Sequence, residues 1–163
     1  MISEKRVILP GSYDPVTLGQ IDIVKRVAEI YREVYVVIFV NPEKKYTFSV
    51  EERIEMLRIA TKPLKNVFVD YSPGRVVDYM RENKIDLIVK GYRNNIDLEY
   101  ERAQAEYNKI HGGYETELLF SSSENINVSS TLARDMIMRG EDASKILPSG
   151  VAEYIASLKN NKI

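Results

Sequence analysis

The chain has 163 residues, of which 44% are hydrophobic and 29% charged, and this length and composition predict one globular domain with a substantial core. Its net charge of −1 excludes a globally basic surface for nucleic acid, and the lack of cysteines, with a single histidine, excludes disulfides, thiolate metal sites and multi-histidine zinc sites. Because no apolar run is long enough to span a membrane and no signal-peptide pattern opens the chain, we expect a cytoplasmic protein without membrane or nucleic-acid partners.

The first predicted elements are a strand, a polar turn and a helix. Arg6–Pro10 is a short apolar run, and Gly11–Gln20 (GSYDPVTLGQ) is rich in turn-forming residues. Ile21–Tyr31 then carries apolar side chains at the spacing of one helix face. A strand-to-helix junction of this kind presents free backbone N–H groups and the positive end of a helix dipole, which favours a bound phosphate.

Strand and helix patterns alternate through the rest of the chain. Val34–Val40 (VYVVIFV) is almost wholly apolar and β-branched, as expected of a strand that is covered on both faces. After the loop Asn41–Phe48, Ser49 and Glu52 have the spacing of a helix capping box. The remaining predictions, in chain order, are strand Asn66–Asp70, helix Ser72–Asn83, strand Ile85–Val89, turn Lys90–Asn95, helix Asp97–Ile110, strand Glu115–Phe120, loop Ser121–Val128, helix Ser129–Met138 and helix Pro148–Leu158.

This alternation predicts right-handed βαβ units and a single α/β domain over residues 1–163. We expect a doubly wound, Rossmann-like sheet of five parallel strands with helices on both faces. Ligands of such sheets bind beyond the carboxyl ends of the strands. The informative polar segments GSYDPVTLGQ, NPEKK, KGYR and SSSENINVSST each follow a strand, so the sequence predicts one site built from all four.

Several familiar catalytic motifs are absent from the chain. There is no GxGxxG after the first strand, no GxxxxGK(S/T) and no GxSxG, which disfavours a dinucleotide-dependent dehydrogenase, a P-loop NTPase and a serine hydrolase. What remains is a set of groups suited to binding phosphate. They are Ser12, Lys44, Lys90, Arg93, Arg134 and the backbone amides at Ser129 and Ser130.

The segment GSYDPVTLGQIDIV resembles the G-(S/T)-(F/Y)-D-P-x-T-x-G-H signature of the nucleotidyltransferase superfamily. Within that superfamily, NPEKK, KGYRNNIDLEYE and NVSSTLAR are similar to the motifs of the phosphopantetheine adenylyltransferases. The resemblance covers roughly the whole chain. It implies transfer of AMP from ATP to 4′-phosphopantetheine in coenzyme A biosynthesis, giving dephospho-coenzyme A and pyrophosphate. It also implies Mg²⁺ bound with the ATP, a homohexamer, and dephospho-coenzyme A or coenzyme A as a ligand.

The resemblance implies roles for individual residues. Gln20, Lys44 and Arg93 would act on the reacting phosphates, while Ser12, Lys44, Val76 and Lys90 would bind phosphopantetheine. The ATP-binding positions that it implies are Ser12, Gly19, Gln20, Gly91, Tyr92, Arg93, Glu101, Asn125, Ile126, Asn127, Val128, Ser129, Ser130 and Thr131. No metal ligand is predicted in the protein, so Mg²⁺ is expected to arrive on the ATP phosphates and to keep several waters.

Two positions depart from the family pattern. Lys90 stands where arginine is usual, which keeps the charge but loses the bidentate fork. Gln20 stands where the signature has a histidine that donates to the α-phosphate. Because glutamine offers a neutral donor and cannot carry a positive charge, we expect ATP binding to be retained and turnover to be lowered.

Other interpretations remain open at this point. Gly11–Gln20 is also compatible with an ordinary βα turn, Ser129–Thr131 with a simple helix N-cap, and Glu101 with a plain position on a helix surface. We expect His111 to be a surface residue without a catalytic role. The alternative functions are a nucleotide- or coenzyme A-binding protein that has lost catalysis through Gln20, and a nucleotidyltransferase that uses a different acceptor.

Overall fold

Strands and helices alternate along the chain in the computed structural model, which describes residues 2–160. The strands are β1 (Ser3–Gly11), β2 (Tyr31–Phe39), β3 (Val67–Ser72), β4 (Leu87–Tyr92) and β5 (Thr116–Phe120). The helices are α1 (Leu18–Ala28), α2 (Val50–Thr61), α3 (Val76–Asn83), α4 (Asn95–Gly112), α5 (Ser130–Met138) and α6 (Val151–Asn160). None of these helices is both long enough and apolar enough to cross a membrane.

The sheet is parallel throughout, with strand order β3-β2-β1-β4-β5. This is the order of a Rossmann-like sheet, and it confirms the predicted fold class. The chain first runs outward from β1 to β3 and then crosses back to β4 beside β1. The switch point therefore lies between β1 and β4, where the turn after β1 and the end of β4 meet.

The two faces of the sheet are covered by different helices. Val7 and Leu9 of β1 belong to the larger core cluster, which includes residues of α1, α2, α5 and α6. Ile8, which lies between them and points to the other face, packs in a second cluster with Tyr79 and Met80 of α3. Helix α4 contacts α3, β4 and β5. The predicted coverage of both faces is thus confirmed.

Several predicted boundaries were wrong, and three of them assigned residues of a strand to another element. Tyr31 was predicted at the end of the first helix but opens β2, and Ser72 ends β3 instead of starting a helix. The predicted turn after β4 began at Lys90, whereas β4 continues through Tyr92 by pairing with β5. At Tyr31 the local pattern fits either the end of a helix or the start of a strand, because its apolar side chain is buried in the same core. At Lys90 a polar side chain indicated a turn, although the residue lies in the sheet. Pairing with a neighbouring strand decides the outcome.

Candidate active site

Helix α1 begins at the switch point with a complete capping box. Thr17 Oγ1 accepts a hydrogen bond from the Gln20 N–H at 3.4 Å, and Gln20 Oε1 accepts one from the Thr17 N–H at 2.9 Å. The Leu18 N–H donates to the Ile146 carbonyl at 2.9 Å. Among residues 2–160 the Gly19 N–H has no acceptor, and Gly19 lines a cavity at this edge of the sheet. The first turn of α1 therefore offers one backbone donor to a ligand.

Gln20 lines the same cavity. Its side-chain oxygen is occupied by the Thr17 N–H, whereas its side-chain nitrogen has no acceptor within the described part of the chain. Because only an acceptor can meet an N–H donor, this contact assigns the amide oxygen to Thr17 and leaves the NH₂ group for a ligand. Gln20 can therefore donate one or two hydrogen bonds to an anion without changing its conformation.

Helix α5 begins beside α1 and points its N-terminus at the same cavity. Its cap is Ser129, whose Oγ accepts from the Leu132 N–H at 3.0 Å, while Ser130 Oγ donates to the Pro15 carbonyl at 2.8 Å. The N–H groups of Ser130 and Thr131 have no acceptor among residues 2–160, and both residues line the cavity. Capping and anion binding are therefore compatible here, because the cap uses a different amide.

Lys90 and Glu101 form a partly buried ion pair between the end of β4 and α4. Lys90 Nζ lies 3.5 Å from Glu101 Oε1 and also donates to the Pro10 carbonyl at 3.0 Å. The Glu101 side chain is only 13% exposed, so the alternative that placed it on an open helix surface was wrong. Burial raises the pKa of Glu101, and the positive charge of Lys90 opposes that shift.

Arg93 is held at the start of α4 by Asp97, which sequence reasoning missed. Arg93 Nε lies 3.0 Å from Asp97 Oδ2, and the Arg93 backbone N–H donates to the same oxygen at 3.2 Å. The four-residue spacing at the first turn of the helix was an available signal for this pair. Both residues line the cavity, so Asp97 orients the Arg93 guanidinium at the cavity wall.

The loop after β2, residues 40–49, carries Lys44 and is fastened to the turn after β1 by Asp14. The buried Asp14 carboxylate accepts from the Thr47 N–H at 2.8 Å and from the Phe48 N–H at 2.9 Å. Sequence reasoning gave Asp14 no role of its own within the segment Gly11–Gln20. Its two acceptor oxygens instead join two segments that the sequence separates by more than thirty residues.

Arg53 of α2 makes a second connection between the same two segments. Its NH1 donates to the Ser12 carbonyl at 2.9 Å, and its Nε donates to the Phe48 carbonyl at 3.1 Å. Burial lowers the pKa of Arg53, and the charge of Asp14 opposes that shift. Sequence reasoning missed this residue too, although Arg53 stands next to Ile54 on the buried stripe of α2, where a charged side chain is unusual.

Two cavities of about 360 Å³ each open at this edge of the sheet and share a wall. The wall residues common to both are Pro10, Gly11, Ser12, Lys44, Lys90 and Glu101. The predicted residues that line the first cavity are Ser12, Gly19, Gln20, Lys44, Lys90, Gly91, Arg93, Glu101, Val128, Ser129, Ser130 and Thr131, together with Arg134. Val76 lines the second cavity, with Phe39, Ile88 and Tyr100.

Four predicted ATP-binding residues line neither cavity. Tyr92 packs edge-to-face against Phe120 at a centroid distance of 5.4 Å. Asn125, Ile126 and Asn127 lie in and after a short 3₁₀ turn, and Asn125 packs behind Gly19. Their predicted contacts with ATP stay predictions, because no position on a cavity wall supports them.

Electrostatically, the first cavity is lined by four cationic side chains and three carboxylates. Each carboxylate already has a partner: Asp14 has two backbone N–H groups, Asp97 has Arg93, and Glu101 has Lys90. Within residues 2–160, no group of three or more acidic, histidine or cysteine side chains is placed to hold a metal ion. The donors that remain favour an anionic ligand.

Comparison with known proteins matches the chain to a family and to individual relatives. The sequence model of the family described as Cytidylyltransferase-like matches residues 8–136. The chain is also 40% identical, over 152 residues, to a phosphopantetheine adenylyltransferase of Corynebacterium diphtheriae, and the match covers 93% of this chain and 96% of that relative.

Proposed function

The chain belongs to the cytidylyltransferase-like family of nucleotidyltransferases, and from that membership we propose that it transfers the adenylyl group of ATP to 4′-phosphopantetheine in coenzyme A biosynthesis. The single structural observation that carries the proposal is that the two cavities share a wall. Ser12, Lys44 and Lys90 belong to this wall and line both cavities. Such a wall suits two phosphorylated substrates that must meet. The name of the bacterial relative supports phosphopantetheine as the acceptor.

In this proposal ATP occupies the first cavity and phosphopantetheine the second. Gly19, Ser130 and Thr131 supply backbone N–H groups at two helix N-termini, where the helix dipoles favour phosphate. The second cavity is lined by the apolar side chains of Phe39, Val76 and Ile88, which suits the pantetheine arm. The two phosphates then approach each other across the shared wall.

The chemical step is an in-line displacement. An oxygen of the phosphopantetheine phosphate forms a bond to the α-phosphorus of ATP, the bond to the β-phosphate oxygen breaks, and pyrophosphate leaves. The attacking phosphate is already largely a dianion near neutral pH, so no strong general base is needed. Lys44, Lys90 and Arg93 neutralise the charges that come together, and Gln20 donates to the α-phosphate.

Mg²⁺ enters this scheme with ATP. The carboxylates on the first cavity are all engaged with N–H or cationic partners, so the donor set fits a metal held by the substrate's phosphates and by water. The ion would supply charge neutralisation at the departing pyrophosphate. Dephospho-coenzyme A is the product in this proposal, and coenzyme A, which contains the same parts, is expected to bind the same two cavities.

We propose that six copies of the chain associate. Helix α4 has 18 residues and none of them is buried. Two of its large apolar side chains are strongly exposed, Ile96 at 83% and Ile110 at 71%. Large apolar side chains in such number on one helix favour contact with another surface. Native mass spectrometry tests the proposal: the unmodified chain is expected as a hexamer and Ile110→Glu as smaller species, whereas a monomer in both would contradict it.

We also propose a cytoplasmic location, since the chain has no cysteines to pair in an oxidising compartment.

Pyrophosphate release tests the proposed reaction. ATP and 4′-phosphopantetheine together should yield pyrophosphate and dephospho-coenzyme A, with neither product formed when one substrate is omitted. Tight binding of both substrates without release would favour a binding protein that has lost catalysis. Release that requires CTP or another acceptor would keep the reaction class and contradict the assigned substrates.

A further inference from the structure

The guanidinium of Arg53 is buried against the segments that carry Ser12 and Lys44, and in the described part of the chain it forms no ion pair with a carboxylate. Arg53 is 1% exposed, and among residues 2–160 no acidic side chain lies within ion-pair distance of it. A buried cation without a counter-charge is costly, so its hydrogen bonds must offset that cost. The contacts that Arg53 makes therefore call for an explanation.

Those contacts are all with the two segments that carry Ser12 and Lys44. Arg53 NH1 donates to the Ser12 carbonyl at 2.9 Å, while Arg53 Nε lies 3.1 Å from the Phe48 carbonyl and 3.3 Å from that of Ser49. The planar guanidinium of Arg53 thus donates in two directions, to the turn after β1 and to the loop after β2. A lysine ammonium on a flexible stem cannot reproduce this fixed pair of directions.

The connection extends to Lys44 through Tyr46. The Arg53 guanidinium lies 4.1 Å from the centroid of the Tyr46 ring, and Lys44 Nζ lies 5.6 Å from the same centroid. The Tyr46 hydroxyl accepts a hydrogen bond from the Asn41 N–H at 3.0 Å. Lys44 is exposed, whereas Tyr46 is partly buried, so the Tyr46 ring connects Lys44 to the buried Arg53.

We propose that Arg53 is a positioning residue for adenylyl transfer, which holds Ser12 and the Lys44 loop in one arrangement so that both face the reacting phosphates. The inference rests on the proposed function and adds a residue that never touches a substrate. A displacement of about 1 Å in a catalytic group costs roughly a hundredfold in rate, so a small shift of Lys44 is enough to matter.

The test is a double-mutant cycle on kcat with ATP and 4′-phosphopantetheine. Arg53→Met is expected to lower kcat about ten- to a hundredfold, with a smaller change in the KM for ATP. Lys44→Ala is expected to lower kcat by a similar or larger factor. Because Arg53 acts partly through Lys44, adding Arg53→Met to Lys44→Ala should cost clearly less than Arg53→Met costs alone. A purely structural role predicts independent losses that multiply.

Arg58→Met is the matched control, because Arg58 lies on the same helix with its side chain exposed, and its kcat should equal that of the unmodified protein. If Arg53→Met fails to unfold cooperatively, Tyr46→Leu replaces it in the cycle, since the Tyr46 ring is only partly buried and contacts both Arg53 and Lys44. Multiplicative losses in the cycle, or full kcat in the Arg53 or Tyr46 variant, would overturn the inference alone. Absence of pyrophosphate release by the unmodified protein would overturn the proposed function as well.

Discussion

Gln20 accepts a hydrogen bond from the backbone N–H of Thr17, and Thr17 in turn accepts one from the Gln20 N–H. The residue in the motif's histidine position is therefore also the N3 residue of a helix capping box. The side chain is therefore oriented before any ligand binds. Its NH₂ group is the part left for the cavity, and it carries no charge. The same contact that stabilises the start of α1 thus determines what Gln20 can offer to a phosphate.

The first prediction concerns the lost positive charge. Gln20→His should raise kcat for pyrophosphate release about tenfold, which is a fraction of the roughly hundred- to thousandfold cost of removing a transition-state donor altogether. Gln20→Leu should lower kcat, because it offers no donor. ATP affinity should change little in either variant, since the backbone amides of α1 and α5 remain. An unchanged kcat in Gln20→His would mean that this position does not act on the α-phosphate.

The second prediction concerns the bidentate guanidinium group that arginine would offer and that Lys90 lacks. Lys90→Arg should lower the KM for phosphopantetheine several-fold, because a guanidinium can donate to Pro10 and still meet a phosphate with two parallel N–H groups. Lys90→Met should raise the same KM. Arg102→Met is a suitable control on the neighbouring helix, since its side chain is exposed. Equal KM values for the lysine and methionine forms would remove Lys90 from the substrate site.

The third prediction follows from the raised pKa of Glu101. A folded-state pKa above the unfolded one means that this group stabilises the fold fully below its ordinary pKa and loses that contribution as pH rises through the folded-state pKa. Glu101→Gln imitates the protonated form at every pH. Urea unfolding should therefore show the variant gaining free energy of unfolding, relative to the parent, as pH rises from about 4, near the ordinary glutamate pKa, through the folded-state pKa of Glu101.

Glu99→Gln is the control for this titration, because Glu99 is exposed on the same helix. Its free energy of unfolding should follow that of the parent across the pH range. A constant difference between Glu101→Gln and the parent would show that ionisation of Glu101 does not cost stability in the folded protein.

The fourth prediction concerns the two acceptor oxygens of Asp14. Asn at this position keeps one acceptor and places an NH₂ group against the second backbone N–H, so Asp14→Asn should lower the free energy of unfolding by about 1–3 kcal/mol. The urea midpoint measures the loss if the m-value is unchanged. The control Asp135→Asn, on an exposed carboxylate of α5, should stay within about 0.5 kcal/mol of the parent. Equal stability of both variants would contradict the role given to Asp14.

Much of the fold was predictable because its signals are local. The capping box of Ser49 and Glu52 spans four residues and is confirmed at the start of α2. The apolar run of β2 and the alternation of strands with helices were enough for the sheet class. The boundaries at Tyr31 and Lys90 were not, because a residue at the edge of a pattern takes its conformation from the strand beside it.

The candidate site was predictable where a motif names the residue and unpredictable where a residue acts on another. Lys44, Lys90 and Arg93 were named from the sequence and line the first cavity. Asp97 and Arg53 were not named, because neither is part of a motif. Asp97 orients the Arg93 side chain, and Arg53 contacts the loop that carries Lys44. Such roles leave no pattern beyond an unusual spacing or a charge on a buried face.

The sequence by itself determined the order of elements, the fold class, the family and the chemical character of the residues at one edge of the sheet, because turn chemistry, periodicity and motif spacing are properties of neighbouring positions. Only the tertiary structure decided which polar groups are free for a ligand and which are already paired. The contact of Arg53 with Ser12 joins residues 41 positions apart, and that of Lys90 with Pro10 joins residues 80 apart. Distances of that kind depend on how the sheet brings segments together, and no local pattern encodes them.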